Sequence, residues 1–165
     1  MRALILFGPG DLRLREVPDP EPGPGEVVLR VDAALTCATD AKMLRQGAHP
    51  ALPPVPAPFG HEAAGTVAAV GAGVTGVRPG DRVAVANSAP CGSCFACERG
   101  RPSLCEDIVY LSGAFAERLR VPARIVARIA AATWTRPLAT PLLAAGAGHI
   151  ARHPEFSDAR QLGDV

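Results

Sequence analysis

Phe59-Gly-His-Glu-Ala-Ala-Gly65, with the run from Thr66 to Val85 behind it, decides how this chain is read. A histidine and a glutamate stand side by side between two glycines, directly ahead of an alternating apolar segment. Alone, such a pair is an ordinary surface feature. Here Cys37-Ala-Thr-Asp40 lies upstream and four further cysteines lie downstream, so three sets of metal-ligand chemistry fall within one short chain.

The length of 165 residues suits one domain, or one domain with an appendage, and is ample for a buried core. Seventeen prolines and seventeen glycines oppose a helical bundle and favour short strands, turns and irregular loops. The few aromatics leave the core to Ala, Val, Leu and Ile. The formal net charge is +1, and the arginines are scattered rather than gathered into a stripe, which argues against nucleic-acid binding. The apolar opening Met1 to Phe7 is stopped by Gly8-Pro-Gly-Asp11, short of signal-peptide or membrane-spanning length. No membrane association is expected, and the expected compartment is the cytoplasm. Five cysteines, an odd number, then favour metal ligation over a disulfide framework.

Ala3 to Phe7 and Leu12 to Val17 read as a strand pair, the second with Leu12 and Leu14 on a buried face and Arg13 and Arg15 on a wet one. Asp19 to Gly25 is a proline-glycine loop. Glu26 to Leu35, β-branched and apolar, is the clearest strand and delivers the chain to Cys37. Thr39 or Asp40 is predicted to cap a short helix from Ala41 to about Gln46, ended by Gly47. The prolines from Pro50 to Pro58 force an extended connection to Gly60. Strands follow over Thr66 to Val70, Asp81 to Ala86, Ala114 to Val121 and Ile125 to Ile129. Many short strands with little helix predict a mainly β (β-rich α+β) barrel or sandwich. From about Ala130 to Val165 no sustained period appears, and Pro137, Pro141 and Pro154 break any helix early; this stretch is expected to be an atypical, disordered tail.

Cys91, Cys94, Cys97 and Cys105 are spaced C-x2-C-x2-C-x7-C within the lobe 87–107. Such spacing turns thiolates toward a common centre, and four of them around zinc make a closed site that contributes folding energy and admits no substrate. An iron–sulfur run would place its fourth cysteine after three residues and follow it with proline. Here the gap is seven and Glu106 follows, so structural zinc is the expectation. Cys37 closes a strand and His61 follows the proline-rich connection. The two come from separate loops, as a catalytic zinc in a cleft requires. Read singly, each residue is equally compatible with a small buried hydrophobe or a surface side chain.

Gly60-His-Glu-Ala-Ala-Gly65, with five residues to Gly71 and Val74 beyond, resembles the signature of the zinc-containing alcohol dehydrogenases. Cys37-Ala-Thr-Asp40, Val77-Arg-Pro-Gly-Asp-Arg-Val83, Ala89-Pro-Cys-Gly-Ser-Cys-Phe-Ala-Cys97 and Gly113-Ala-Phe-Ala-Glu117 resemble the same family. Residues 2 to 128 look like the GroES-like catalytic domain of a medium-chain dehydrogenase/reductase, of the polyol and threonine dehydrogenase branch. The resemblance implies a partly open barrel over 1–129 with a structural-zinc lobe. It implies Cys37 and His61 as catalytic-zinc ligands and Glu62 as an occasional or water-mediated one. It further implies Thr39 as the hydroxyl that passes on the substrate proton, and Asp40 as the group that orients His61. The substrate would be a small alcohol or polyol, oxidised with NAD or NADP by a homo-oligomeric enzyme.

Two parts that the family needs are not found. The third protein ligand would follow Cys105, where only Glu155 and His149 offer themselves, in no motif. Gly71-Ala-Gly-Val-Thr-Gly76 fits G-x-G-x-x-G but is followed by Val77-Arg-Pro-Gly80 rather than a helix. Gly146-Ala-Gly-His-Ile-Ala151 is followed by Pro154, so neither builds a dinucleotide-binding βαβ unit. The expectation is a truncated dehydrogenase with no cofactor-binding residues of its own. The alternative is an inactive, zinc-stabilised module that works with a partner chain.

Overall fold

The computed structural model describes residues 1–50 and 52–129. The expectations placed on 130–165, including His149, Glu155 and the glycine run at Gly146, lie outside those residues.

Strand β1 (Arg2–Gly8) turns through Pro9 and Gly10 into β2 (Asp11–Glu16). After the proline-rich loop come β3 (Glu26–Ala34) and helix α1 (Ala38–Gln46). There follow β4 (Ala57–Pro58), β5 (Ala63–Val70), β6 (Arg82–Val85), β7 (Ser88–Ala89), a single turn α2 (Phe95–Glu98), β8 (Val109–Tyr110), β9 (Arg118–Pro122) and β10 (Val126–Arg128). Every pairing is antiparallel. The sheets run β2-β1-β4, β10-β6-β5-β3-β9 and β7-β8. Because β10 and β9 are both edges, the large sheet stays open, the mainly β, partly open arrangement expected. Among the described residues no helix is long and apolar enough to cross a membrane.

Two apolar clusters hold the fold. The larger fills the five-stranded sheet with Val27, Leu29, Val67, Val83, Val85, Leu119, Val121 and Ile125 among others. Each such side chain contributes about 1.5–3 kcal/mol on burial. The Val27-Val-Leu29 run is continuous rather than alternating because this central strand is covered on both faces. The smaller cluster joins Leu6, Met43 and Phe59, with Leu4, Leu12, Leu44, Leu52 and Phe115 against it. It ties the β1–β2 hairpin to α1.

Several boundaries differ from the sequence expectation. β5 begins at Ala63, three residues before Thr66, because small side chains let it lie tight on β3. β9 begins at Arg118, not Ala114. Residues 114–117 instead form a strap between sheets: Ala114 and Phe115 donate to the Gly60 and Phe59 carbonyls, while Leu4 accepts nothing from it but donates to the Phe115 carbonyl. The Glu117 N–H donates to the Arg2 carbonyl, and Arg2 donates back to the Glu117 carboxylate through N–H and guanidinium at 2.8 Å. These donors hold the Glu117 carboxyl below its ordinary range, the Arg2 backbone N–H first. Leu14 does not face a core; it is 60% exposed, because β2 is an edge strand with only Leu12 directed at the small cluster.

The β3–β5 register is tightest at Gly65, which pairs with Val31; a Cβ there would strike the Arg30 carbonyl. Gly65→Ala must therefore shift backbone, not a flexible side-chain end. It is expected to cost about 1–3 kcal/mol, the range for overpacking, read as a lowered urea midpoint, whereas an unchanged midpoint would show that the strands can part freely.

Candidate functional site

The β3–β5 ladder runs from Val27↔Val70 to Ala34↔Ala63, and the Leu35 N–H donates to the Glu62 carbonyl one step further on. Antiparallel pairing thus brings the end of one strand against the start of the other. Cys37, three residues past β3, and His61, two before β5, are left facing each other at the same end of the sheet.

Cys37 also starts α1. The helix begins at Ala38, not Ala41, and its N-cap is Cys37 rather than Thr39 or Asp40. The Thr39 N–H donates to Cys37 Sγ at 3.3 Å, and the Cys37 N–H donates to Asp40 Oδ2 at 2.9 Å. This is a capping box with sulfur in the place of a Ser or Thr hydroxyl. Gly47, at φ 64°, closes the helix as expected, its N–H donating to the Met43 carbonyl.

The imidazole of His61 uses its two nitrogens in opposite directions. Nε2 lies 3.2 Å from Cys37 Sγ and 3.8 Å from Glu62 Oε1. Nδ1 lies 3.0 Å from Asp40 Oδ1, although the approach is off-line and neither atom has a directed hydrogen bond. The Asp40 side chain is only 4% exposed and that of His61 12%. A proton on Nδ1 toward the carboxylate leaves the Nε2 lone pair toward the sulfur and Glu62, the orientation a metal-ligating histidine adopts. The candidate donor atoms of Cys37, His61 and Glu62 lie within 4.8 Å of one another. A tetrahedral zinc would separate sulfur and nitrogen ligands by about 3.5 Å, so the 3.2 Å spacing fits with a small outward adjustment. Thr39 is half-buried in the first turn of α1, two residues from Cys37.

The four remaining cysteines converge on a second centre. Their sulfurs lie within 4.8 Å of one another, with Cys91 Sγ to Cys97 Sγ at 4.0 Å and Cys94 Sγ to Cys105 Sγ at 3.9 Å. Those separations are far too long for disulfides, and all four are free thiols. They sit close to the edge of about 3.8 Å that four 2.3 Å zinc–sulfur bonds require. Backbone N–H groups point inward: Cys91 N–H to Cys105 Sγ at 3.2 Å and Cys94 N–H to Cys91 Sγ at 3.3 Å. The lobe has more order than its sequence promises, with α2 inside it and β7 pairing β8 across its neck.

This crowding splits the thiols. Backbone donors at Ser93 and Cys94 pull Cys91 down from 9.0 to about 6, and those at Cys97 and Glu106 lower Cys94. Desolvation, with the neighbouring sulfurs adding to it, pushes Cys97 up to about 12. A shared cation is what would allow all four to be thiolates at once.

Asp40, Thr39 and Glu62 all fall around the Cys37–His61 pair. Gly71 to Gly76 form the loop between β5 and β6, with no helix after them. Sequence reasoning missed Cys37 as a helix cap, because cysteine is not among the usual capping residues; the four-residue spacing Cys37-Ala-Thr-Asp40, a capping box but for its first residue, was the available signal.

Residues 23–131 match the family model of the alcohol dehydrogenase GroES-like domain. The chain is 40% identical over 111 residues to sorbitol dehydrogenase of Bombyx mori, spanning 67% of this chain and 32% of that protein. It is 37% identical over 148 residues to L-threonine 3-dehydrogenase of Pyrococcus horikoshii, spanning 86% of this chain and 40% of that protein. Among solved structures, a cobalt- and zinc-bound thermostable alcohol dehydrogenase from Pyrobaculum aerophilum superposes with a TM-score of 0.72 at 40% identity, over 79% of this chain and 42% of that one. The chain spans about a third of the length of the curated relatives it matches.

Because Cys97 holds its proton at neutral pH while Cys91 has largely lost its own, metal uptake by the lobe must displace at least one proton. Zinc affinity is therefore expected to rise with pH between 6.5 and 8.5, about tenfold per unit for each proton released. Chelator competition on Cys37→Ala protein, which isolates the lobe, measures this; a flat profile would contradict it.

Proposed function

The chain belongs to the alcohol dehydrogenase GroES-like domain family, and from that premise we propose that residues 1–129 are the zinc-binding catalytic domain of an NAD(P)-dependent dehydrogenase acting on the CH–OH group of a small alcohol or polyol. The lobe 87–107 is its structural-zinc site, and 130–165 stands where the cofactor domain of the relatives begins. The observation that carries the reading is the opposed use of the His61 nitrogens, Nε2 toward Cys37 and Glu62 and Nδ1 toward buried Asp40.

Zinc would supply a Lewis acid that acidifies a bound alcohol, and a nicotinamide would accept the hydride. Cys37 and His61 would hold the metal, with Glu62 as the third donor of the isolated chain. Asp40 fixes the His61 ring by taking the Nδ1 side and fixes Cys37 by accepting its N–H. Thr39, two residues from Cys37 in the first turn of α1, would carry the substrate proton at Oγ1 toward solvent. Cys91, Cys94, Cys97 and Cys105 use every donor position on one ion, so that site serves folding alone. A cytoplasmic homo-oligomer is part of the same proposal.

The second reading is a catalytically inactive, zinc-stabilised GroES-like fragment, or a module that needs a partner chain. Both readings place two zinc ions on each chain. Mass spectrometry of metal content is expected to give two in the wild type, one in Cys37→Ala and one in Cys97→Ala. Equal zinc in wild type and Cys37→Ala would sink the catalytic site. Alcohol-dependent reduction of NAD(P) by the purified chain separates the two: turnover by the chain alone would reject the partner-chain reading.

A further inference from the structure

A residue that is neither a candidate ligand nor one of their hydrogen-bond partners braces the turn ahead of His61. Phe115 lies in the strap 114–117 and belongs to the small apolar cluster with Leu6, Met43 and Phe59. Met43 is on α1, the helix that Cys37 caps. Phe59 and Gly60 immediately precede His61. Phe115 therefore packs against the cluster that α1 joins through Met43, and directly against Phe59 and Gly60, the residues that lead into His61 and Glu62.

Its contact with that segment is close and directed. The Phe115 N–H donates to the Phe59 carbonyl at 3.0 Å, and the Ala114 N–H donates to the Gly60 carbonyl at 3.0 Å. The ring lies against the Cα of Gly60. A Cβ built there would fall 2.7 Å from Phe115 Cγ and 2.9 Å from both Cδ atoms, so Gly60 takes φ +89° with the ring pressed over it. The Phe59 and Phe115 rings are tilted by 58° with centroids 5.8 Å apart, an edge-to-face pair. The remaining side of Phe59 is held by its N–H to the Leu4 carbonyl at 3.0 Å.

We propose that Phe115 is a positioning residue for the Cys37–His61 metal site, fixing the turn at Gly60 from which His61 is presented to Cys37. The inference rests on the zinc reading of Cys37, His61 and Glu62. Removing the ring leaves the backbone clamp at residues 59 and 60 but empties the space over the Gly60 Cα, so the turn at Gly60 loses the wall that fixes it. His61 then swings relative to Cys37. The main apolar cluster of the five-stranded sheet does not include Phe115, so the loss should appear at the metal before it appears in global stability.

The experiment titrates cobalt(II), then zinc against a chromophoric chelator, into full-length metal-free protein. The Cys37 site is obtained by difference from Cys37→Ala. Phe115→Leu and Phe115→Ala are expected to bind at that site about 10- to 100-fold more weakly, the range for groups that orient metal ligands. Their cobalt d–d band should be altered and binding at the four-cysteine lobe unchanged. Phe115→Tyr, which restores the ring, should bind like the wild type. Val67→Ala, in the main cluster, should lower the melting temperature without changing Cys37-site affinity. If Phe115→Ala fails to fold, Phe115→Leu decides. A wild type that takes up one ion overturns the zinc reading and the inference with it. A wild type with two ions and unchanged affinity in Phe115→Leu overturns the inference alone, as does an equal loss in Val67→Ala.

Discussion

The close approach of β5 to β3 at Gly65 is the constraint on which the rest of this domain depends. A side chain there would meet the Arg30 carbonyl, so only glycine lets these two strands pair at this register. The register then decides the chemistry. With Ala34 opposite Ala63, the antiparallel ladder sends one chain out to Cys37 and receives the other in from His61. A slip of one residue would turn the buried Val67 of β5 outward and carry His61 away from the sulfur. The ligand pair is thus a consequence of strand pairing, although 24 residues separate its members.

The two candidate metal centres differ in what surrounds their donors, and this difference separates their roles. The lobe gathers four sulfurs within one short loop segment, stiffened by backbone N–H groups aimed at them. An ion held there would have all four tetrahedral positions filled by sulfur from one local segment. The Cys37 centre brings three donors of different kinds, from the N-terminus of a helix and from the entry to a strand, with a nearly buried carboxylate behind the imidazole. Its geometry depends on tertiary packing, and an ion held by these three donors would keep one tetrahedral position for another ligand.

How much of this was legible in the sequence follows from the range of each interaction. β3 was legible because it is a long, continuous apolar run, and the cysteine lobe because its spacing is itself the geometry. The two-residue strands β4, β7 and β8 have no period to read. Ala114 to Val121 was read as one strand because backbone that bridges two sheets carries the same alternation as backbone within one. Leu14 was placed inside because Leu-Arg alternation does not reveal that nothing packs beyond an edge strand. Cys37, His61 and Asp40 were legible as residues through the family resemblance, but the cap formed by Cys37 and the contact of Phe115 with Gly60 were not. The first uses an unusual capping atom, and the second joins positions 55 residues apart.

The division of the apolar interior into two clusters gives this arrangement its physical logic. The larger cluster lies within the five-stranded sheet and includes no residue of α1 or of the β1–β2 hairpin. The smaller one is built almost wholly from them, together with Phe59 and Phe115. Sheet stability can therefore be high while the Cys37 centre responds to a handful of side chains around Met43. The strap 114–117 is the piece that connects the two, because its backbone bonds to β1 and to residues 59–60 while Ala114 itself is buried in the larger cluster. The ladder that brings the ligands together and the cluster that packs α1 beside them are thus built from different side chains.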